Sequence, residues 1–293
     1  LPVWLVKTHE DMMKFLDEQL KKLDTPYVDF YILHAMNNER MDAMQKLDYK
    51  RFYAEAIAQG KVRYPGFSFH DVAKAFLRIL HDWDQWGMCQ VQMNILDDEN
   101  QATLEGIREA GRRGVGVVVM EPLRGGLLAN PPVDVKAVYD AYAVQRSPVE
   151  WGFRYLYAMP EVITILSGMS TWAQVTDNLR IFDMTKRPTL TDEELALYQK
   201  VKATYLARTK TRCTGCKYCQ PCPMGVQIPR IFQGYDAAML RADSSFKAGY
   251  AQIQADHADA SQCIHCRKCE RACPQHLPIT RFLQEIHTAS TAE

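Results

Sequence analysis

Cysteine spacing is the feature that most constrains this sequence. Eight of its nine cysteines lie in two short runs near the C-terminal end, and a proline follows each run. Three thiolates at three-residue intervals suit one face of a cubane cluster, whose fourth iron is then left for a distant cysteine. The runs therefore predict two 4Fe-4S clusters. Their members are Cys213, Cys216, Cys219 and Cys222, with gaps of two residues, and Cys263, Cys266, Cys269 and Cys273, with gaps of two, two and three.

The two runs are expected to share their ligands. In two-cluster ferredoxins of the bacterial type, the fourth cysteine of each run ligates the other cluster. The first run has one residue fewer before its last cysteine than that pattern, and a stretch with helical spacing at 228–240 lies between the runs. We therefore expect a mainly helical variant of the ferredoxin plan. One cluster would use Cys213, Cys216, Cys219 and Cys273, and the other would use Cys222, Cys263, Cys266 and Cys269.

Clustered cysteines also occur in disulfide frameworks and zinc sites. Disulfide frameworks are typical of small secreted chains, whereas this chain has 293 residues. Four-cysteine zinc folds generally use two Cys-x-x-Cys pairs separated by a spacer, not triplets in succession. The spacing thus favours iron-sulfur clusters over zinc. The ninth cysteine, Cys89, lies in a strand pattern and is expected to pack as a small hydrophobe.

Charge and composition limit the partners of this chain. Its 35 Lys and Arg balance 35 Asp and Glu, so no overall field favours nucleic acid or an anionic membrane. No membrane-length apolar run and no signal peptide is visible, which predicts a cytoplasmic protein. Basic side chains among the ligands would offset cluster charge, receive an acidic redox partner protein or simply be solvated. These are Lys210, Arg212, Lys217, Arg267, Lys268 and Arg271.

The part of the chain before the cysteine runs has the pattern of a parallel α/β fold. Short apolar runs alternate with stretches of helical periodicity, such as 10–23, which Thr8 is placed to cap. Further caps are expected at Ser147 and Thr171. No glycine fingerprint follows a first strand, which argues against a Rossmann fold. Strands are predicted at 27–33, 62–68, 89–95, 115–120 and 162–166.

The order of several segments resembles the aldo-keto reductase family. The stretch from Tyr27 to His34 resembles the fourth strand of that family, which ends in its catalytic His. The segments 60–70, 89–94, 120–126 and 167–178 resemble the fifth to eighth units, and the cysteine region resembles a ferredoxin-like extension of one branch. The resemblance implies a TIM barrel, of which only the last five strand-helix units are present.

The resemblance also implies a division of the chain and an N-terminal truncation. We expect a partial barrel at 1–190, a connecting helix at 191–208 and a dicluster domain at 209–293. The chain begins at Leu1 without an initiator Met, and the family draws a catalytic Asp, Tyr and Lys from the three strands that are missing. His34 is the catalytic residue that remains, so the fragment itself is expected to be inactive.

Cofactor contacts of the family map onto the ends of other strands. Ser68 and Gln90 would lie beside a nicotinamide, and the loop and helix after the last strand would receive its phosphates. Ser68 could instead cap a helix, and Gln90 could be a satisfied polar residue. No Lys or Arg occurs from 161 to 179, so NADH, NADPH and a flavin all remain candidates. The residues implied in the loop and helix are Ser167, Gly168, Met169, Gln174 and Asn178.

Two functions follow from these observations. The first is an iron-sulfur oxidoreductase that couples carbonyl or alcohol chemistry on a small substrate to electron transfer through the two clusters. The second is a relay module whose barrel docks a partner without performing chemistry. A segment ahead of Leu1 that supplies the Asp, Tyr and Lys of the family would favour the first function, and a chain that starts near Leu1 would favour the second. Taken alone, His34 could also be a core histidine with satisfied hydrogen bonds.

Overall fold

The computed structural model describes residues 1–183, 187–213, 215, 217–273 and 275–291. These residues pack into two compact units. The first unit contains Leu1–Ala129 and Arg146–Asp192, and the second contains Asn130–Gln145 and Glu193–Glu293. In this division, the helix predicted at 191–208 groups almost entirely with the cysteine-rich part of the chain.

The first unit contains a five-stranded parallel sheet in which neighbouring strands follow one another in sequence. This confirms the predicted α/β class with a parallel sheet. The carboxyl ends of all five strands therefore lie along one edge of the sheet. The strands are β1 Val28–Met36, β2 Val62–Phe69, β3 Met88–Gln92, β4 Gly116–Met120 and β5 Val162–Ile165.

Helices connect the strands and cover one face of the sheet. Phe67 and Cys89 point to that face and are fully buried, whereas their neighbours along the strands point to the opposite face. On the opposite face Phe30 stacks on Tyr64 at a centroid distance of 5.3 Å, and both rings are about half exposed. The helices of this unit are α1 His9–Leu23, α2 Asn38–Lys46, α3 Tyr49–Ala58, α4 Ala73–Asp82, α5 Thr103–Arg112, α7 Pro148–Tyr157 and α8 Trp172–Phe182, whereas α6 Val133–Asp140 belongs to the second unit.

Side-chain hydrogen bonds set several element boundaries. Thr8 and Asp11 form a reciprocal capping box at the start of α1, and Thr171 and Gln174 form another at the start of α8. The third expected cap is also present, because Ser147 accepts a hydrogen bond from the backbone N–H of Glu150. These local patterns, read from the sequence, placed the starts of the helices correctly.

One strand is shorter than the sequence pattern suggests. The prediction extended the third strand to residue 95, but β3 ends at Gln92. The Asn94 side chain accepts hydrogen bonds from the backbone N–H groups of Leu96 and Asp97 at 3.0 and 3.1 Å. Such local bonds offer the backbone an alternative to the strand ladder, so the apolar run turns away from the sheet.

The second unit is helical in its described residues. The helices between and after the two cysteine runs enclose an apolar core that includes Phe232, Tyr250 and Leu283, and several cysteines pack against the edge of that core. Within the described ranges of the whole chain, no helix has the length and apolar character needed to cross a membrane. The helices are α6 Val133–Asp140, α9 Asp192–Arg208, α10 Ile228–Arg241, α11 Ser245–Ala255, α12 Lys268–Ala272 and α13 Ile279–Thr291.

The core of the first unit predicts the effect of removing one aromatic ring. Phe67→Ala should lower the free energy of unfolding by about 3–5 kcal/mol, because a fully buried ring leaves a cavity. All five tryptophans lie in the first unit, so urea unfolding followed by tryptophan fluorescence reports on that unit alone. Phe30→Ala, the same change on a ring that is 44% exposed, is the matched control. Equal losses in both variants would contradict the assignment of the core to the helix-covered face.

Candidate iron-sulfur and barrel sites

The two cysteine runs adopt the same unusual backbone. Left-handed φ angles occur at equivalent positions, two and four residues after the first cysteine of each run. The first position is Gly215 at 69° and His265 at 54°, and the second is Lys217 at 65° and Arg267 at 57°. Residues with a Cβ seldom adopt left-handed φ angles. Their recurrence at Lys217, His265 and Arg267 therefore indicates that the loop conformation requires them.

The repeat continues beyond the cysteines. Gly225 and His276 each lie three residues after the last cysteine of their run, and both have left-handed φ angles, of 74° and 52°. Each also donates its backbone N–H to the carbonyl of that cysteine, at 2.9 and 3.1 Å. The chain then enters α10 at Ile228 and α13 at Ile279. The unit thus contains a loop-helix motif twice.

Each of two cavities is lined by thiols from both runs. Cys222 joins Cys263, Cys266 and Cys269 around a cavity of about 170 Å³, which we call the Cys266 site. Cys273 joins Cys213 and Cys219 around a cavity of about 20 Å³, which we call the Cys273 site. Cys219 borders both cavities. Cys216, the remaining predicted ligand, lies outside the described residues.

The donor set suits a cluster better than a single ion. Zinc binds four donors within about 2.3 Å of one point. The thiols instead surround a space that is otherwise lined mainly by apolar side chains, among them Val226, Ile228 and Leu283. Burial raises the pKa of the Cys269 thiol to about 11, so binding of metal there must displace a proton.

A buried carboxylate holds the entry to the first loop. Asp236 on α10 is 8% exposed. It accepts hydrogen bonds from the backbone N–H groups of Lys210, Thr211 and Arg212 at 2.7–3.2 Å, and from the Thr211 hydroxyl at 2.7 Å. These contacts end directly before Cys213. Asp236 is therefore a positioning residue for the first cysteine of the run.

In the second motif a different side chain occupies the position equivalent to Asp236 and contacts the loop through a neighbouring residue. His287 is the ninth residue of α13, as Asp236 is of α10. Its Nδ1 shares a hydrogen bond of 2.8 Å with the Tyr250 hydroxyl, which in turn accepts the backbone N–H of Ala260 at 3.2 Å. Ala260 lies three residues before Cys263, as Lys210 does before Cys213. Both loops are thus anchored from the same helix position, directly in one case and through a tyrosine in the other.

The barrel-like sheet brings three predicted residues to one edge. Ser68 and Gln90 are register partners on β2 and β3. The buried Ser68 hydroxyl accepts the backbone N–H of Ala35 at 2.7 Å, next to His34 on β1. The Gln90 amide lies 3.5 Å from the Met120 sulfur. The three side chains therefore lie at adjacent strand ends, and the role of each in binding a cofactor stays a prediction.

His34 is exposed and lies among aromatic and basic groups that the sequence did not single out. The Trp4 ring is 5.1 Å from the His34 ring, and the Arg40 guanidinium lies 5.3 Å over Trp4. Partial burial lowers the pKa of His34, and the positive charge of Arg40 lowers it further. Burial likewise lowers the pKa of His70, with a contribution from His34. A neutral imidazole is thereby favoured.

The loop after β5 is held by its own side chains. Asn178 donates to the Ser167 hydroxyl at 2.7 Å, and Gln174 accepts the backbone N–H groups of Ser170 and Thr171 at 2.8 and 3.1 Å. Gly168 and Met169, the other predicted contacts, are exposed in this loop. Gln174 and Asn178 therefore shape the loop, whatever the loop binds.

The sequence did not predict a polar network that lies at the ends of β3 and β4. Asn94 is fully buried and donates to Asp97 and to the Glu121 carbonyl at 2.9 and 3.0 Å. Arg124 lies 3.6 Å from Asp97, in a turn where Glu121 and Arg124 both have left-handed φ angles. The many polar side chains at 94–101 could have indicated this network in the sequence. Only the fold places Arg124 near Asp97.

Comparison with known proteins agrees with this geometry. The aldo/keto reductase family matches residues 6–203, and the 4Fe-4S dicluster domain matches residues 212–277. Aldo-keto reductase AKR11C1 from Bacillus halodurans, in its holo form, is 25% identical, with a TM-score of 0.56 over 68% of this chain and 69% of that one. The apo form of the same protein is also 25% identical, with a TM-score of 0.55 over 66% of this chain and 68% of that one. The thermostable aldo-keto reductase Tm1743, in complex with the inhibitor epalrestat, is 25% identical, with a TM-score of 0.51 over 66% of this chain and 67% of that one. No curated protein matches the chain.

The sheet and the cysteine loops therefore define an oxidoreductase with a TIM-barrel-like fold and a ferredoxin-type 4Fe-4S domain. The chain belongs to the aldo/keto reductase family. The predicted family and its iron-sulfur extension are both confirmed.

The anchor at Asp236 predicts a selective loss of iron. Asp236→Ala leaves three backbone N–H groups before Cys213 without their acceptor. If each site binds a cluster, as the cysteine runs predict, the Cys273 site should lose its iron while the Cys266 site keeps it. Iron analysis should then give about half of the parent content. Asp256→Ala removes an exposed carboxylate that pairs with Arg230 and is the control. Full iron content in Asp236→Ala would show that the loop does not need this anchor.

The ninth cysteine predicts a difference in reactivity. Burial raises the pKa of Cys89 to about 12, and the side chain is fully enclosed. Because the thiolate is the nucleophile, Cys89 should resist iodoacetamide in the folded protein after the clusters are removed, whereas the exposed Cys266 should react. Peptide mass mapping after a short pulse at pH 8 checks this order. Alkylation of Cys89 at the rate of Cys266 would refute its burial.

Proposed function

We propose that this protein couples carbonyl or alcohol redox chemistry on a small substrate to electron transfer through two 4Fe-4S clusters. The observation that carries the proposal is the duplicated loop-helix motif, whose thiols surround two cavities with contributions from both runs. Sharing of thiols between runs is the arrangement that two-cluster ferredoxins use. The aldo/keto reductase family supplies the expectation of carbonyl chemistry.

Each proposed cluster has its own protein environment. Cys222, Cys263, Cys266 and Cys269 would hold one cluster, and Cys213, Cys216, Cys219 and Cys273 would hold the other. When bound, such clusters supply one-electron transfer at potentials set by charge, hydrogen bonds and exposure. The loops contribute part of this environment. The backbone N–H of Gly215, for example, lies 3.5 Å from the Cys213 sulfur, where it can donate to that atom.

The barrel site would handle the substrate. We place a carbonyl oxygen near His34, whose lowered pKa favours the neutral imidazole, a form that can donate one hydrogen bond and orient the oxygen. Ser68 and Gln90 would border the cofactor, and the loop after β5 would receive its phosphate groups. Partial TIM-barrel geometry, with the five strands as the last five units of a barrel, agrees with the sequential parallel order of the sheet.

The composition of the loop and helix after β5 bears on the electron carrier at the barrel. Residues 161–179 contain no Lys or Arg for the 2′-phosphate of NADPH, so NADH and a flavin stay in consideration. The relay function is the second candidate. The exposure of His34, beside the aromatic Trp4, is compatible with a docking surface as well as with a substrate site.

Metal content tests the two-cluster proposal directly. Anaerobically purified protein should be brown and contain about eight iron and eight sulfide per chain, as two cubanes require. A colourless protein with stoichiometric zinc would overturn the proposal, and a value near four iron would reduce it to one cluster.

Substitution of single cysteines tests the proposed ligands. Cys266→Ala should lower the iron content to about four per chain, because one cubane loses a ligand while the other keeps all of its own. Cys89→Ala is the matched control, since Cys89 lies in the sheet and should leave eight iron in place. Loss of iron in the Cys89 variant and retention in the Cys266 variant would contradict the assignment.

Reduction by nicotinamide separates the enzyme from the relay. If the barrel binds a nicotinamide, NADH or NADPH should bleach the visible absorption of the clusters in the anaerobic protein, and Gln90→Ala should slow this reaction. Dithionite reduction of the same variant should be unchanged. No bleaching by either nucleotide, with normal dithionite reduction, would favour a flavin or the relay function.

A further inference from the structure

We propose that the mouth of the Cys266 site docks an acidic one-electron carrier protein; this inference rests on the function proposed above. The surface concerned is the rim, which we define as five residues that line the mouth of this cavity. They are Tyr218, Met224, Ile264, Arg267 and Lys268.

The rim surrounds the most accessible thiol. Among the described cysteines, Cys266 alone is exposed, whereas Cys273 of the other site is 9% exposed. Electron transfer between proteins requires a close approach of the two redox centres, so the exposed side of the Cys266 site is the natural entry. The Cys273 site is the inner partner of this pair.

The apolar part of the rim contributes little to folding. Tyr218 is 69% exposed, Ile264 is 61% exposed and Met224 is 40% exposed, at the mouth of one cavity. A single exposed apolar side chain needs no explanation, but a group of three around a functional opening marks an interaction site. Tyr and Met are also enriched in protein interfaces. These three side chains would form the apolar centre of the contact.

The charge around the rim specifies the partner. Arg267 and Lys268 line the cavity, and Arg271 lies in the same short helix as Lys268. The run 263–273 that contains them has these three basic residues and one acid, Glu270. Glu270 lies 3.9 Å from Arg267. Lys268 and Arg271 are exposed and form no ion pair within the described part of the chain. A basic border around an apolar centre is complementary to an acidic protein, and such complementarity accelerates encounter.

The same charges could serve only to offset the negative clusters. In that case their removal would shift the cluster potential and leave the association with other proteins unchanged. Docking makes the opposite prediction, because charges at the edge of an interface act mainly on association and its salt dependence. Binding and potential can be measured separately.

The proposed transfer is a one-electron exchange. The reduced carrier would be oxidised by one electron, and Cys222, Cys263, Cys266 and Cys269 would hold the 4Fe-4S cluster that accepts it. No bond to the carrier forms or breaks, so the carrier then dissociates unchanged in composition. A plant-type 2Fe-2S ferredoxin, which is acidic and carries one electron, is a suitable probe.

The test uses the full chain with both clusters in place. Binding of oxidised ferredoxin is measured by calorimetry at low and at physiological salt, alongside iron content and cluster potential. In Lys268→Glu combined with Arg271→Glu, the Kd at low salt should rise about tenfold and its salt dependence should flatten. Lys268→Gln should shift the Kd less, in the same direction. Tyr218→Ala should weaken binding about tenfold with the salt dependence intact.

Controls separate this inference from the proposed function. Lys247→Glu reverses one positive charge, half the charge change of the double variant, on α11, which lines neither cavity, and should bind ferredoxin as the parent does. An unchanged Kd in the double variant, an equal loss in Lys247→Glu, or no binding by the parent would overturn the docking inference. So would a parent that binds basic cytochrome c as tightly as ferredoxin. If iron content is about eight in these cases, the two-cluster proposal stands.

Discussion

The cysteine-rich unit depends on one constraint, namely that each cavity is bordered by thiols from two runs that are far apart in sequence. Forty residues separate Cys222 from Cys263, yet both line the Cys266 site. The intervening α10 and α11, together with α13, build the core that brings the runs together. Cluster binding and packing of this unit are therefore coupled, because metal held between both motifs would link their helices.

The repeated left-handed backbone shows how strongly the loops are specified. Lys217, His265 and Arg267 adopt a conformation that costs about 1 kcal/mol or more for residues with a Cβ. Such positions persist where the surroundings determine them. Here the surroundings are the helix that follows each loop and the anchors at Asp236 and His287. The two anchors differ in chemistry but occupy the same helix position, which shows that the fold demands a fixed loop entry more than a particular residue.

The sheet organises the other site through a simpler rule. In a parallel sheet with sequential strand order, every strand ends at the same edge, so residues from distant segments become neighbours. Ser68 and Gln90 are paired in register for this reason, and Ala35 ties β1 to Ser68. Phe67 and Ser68 are both buried, but successive side chains of a strand point to opposite faces, so Phe67 lies in the core under the helices and Ser68 lies on the opposite face.

The sequence by itself determined the elements and the chemistry of the ligands. Hydrophobic periodicity and caps such as Thr8 and Ser147 are local, so strands and helix starts could be predicted, and the spacing of the cysteines carried the iron-sulfur assignment. The tertiary structure decided what depends on distant pairs. It ended β3 at Gln92, placed Arg124 beside Asp97 and left Cys266 exposed while the other described cysteines are partly or fully buried. These outcomes follow from packing between segments that no local pattern connects.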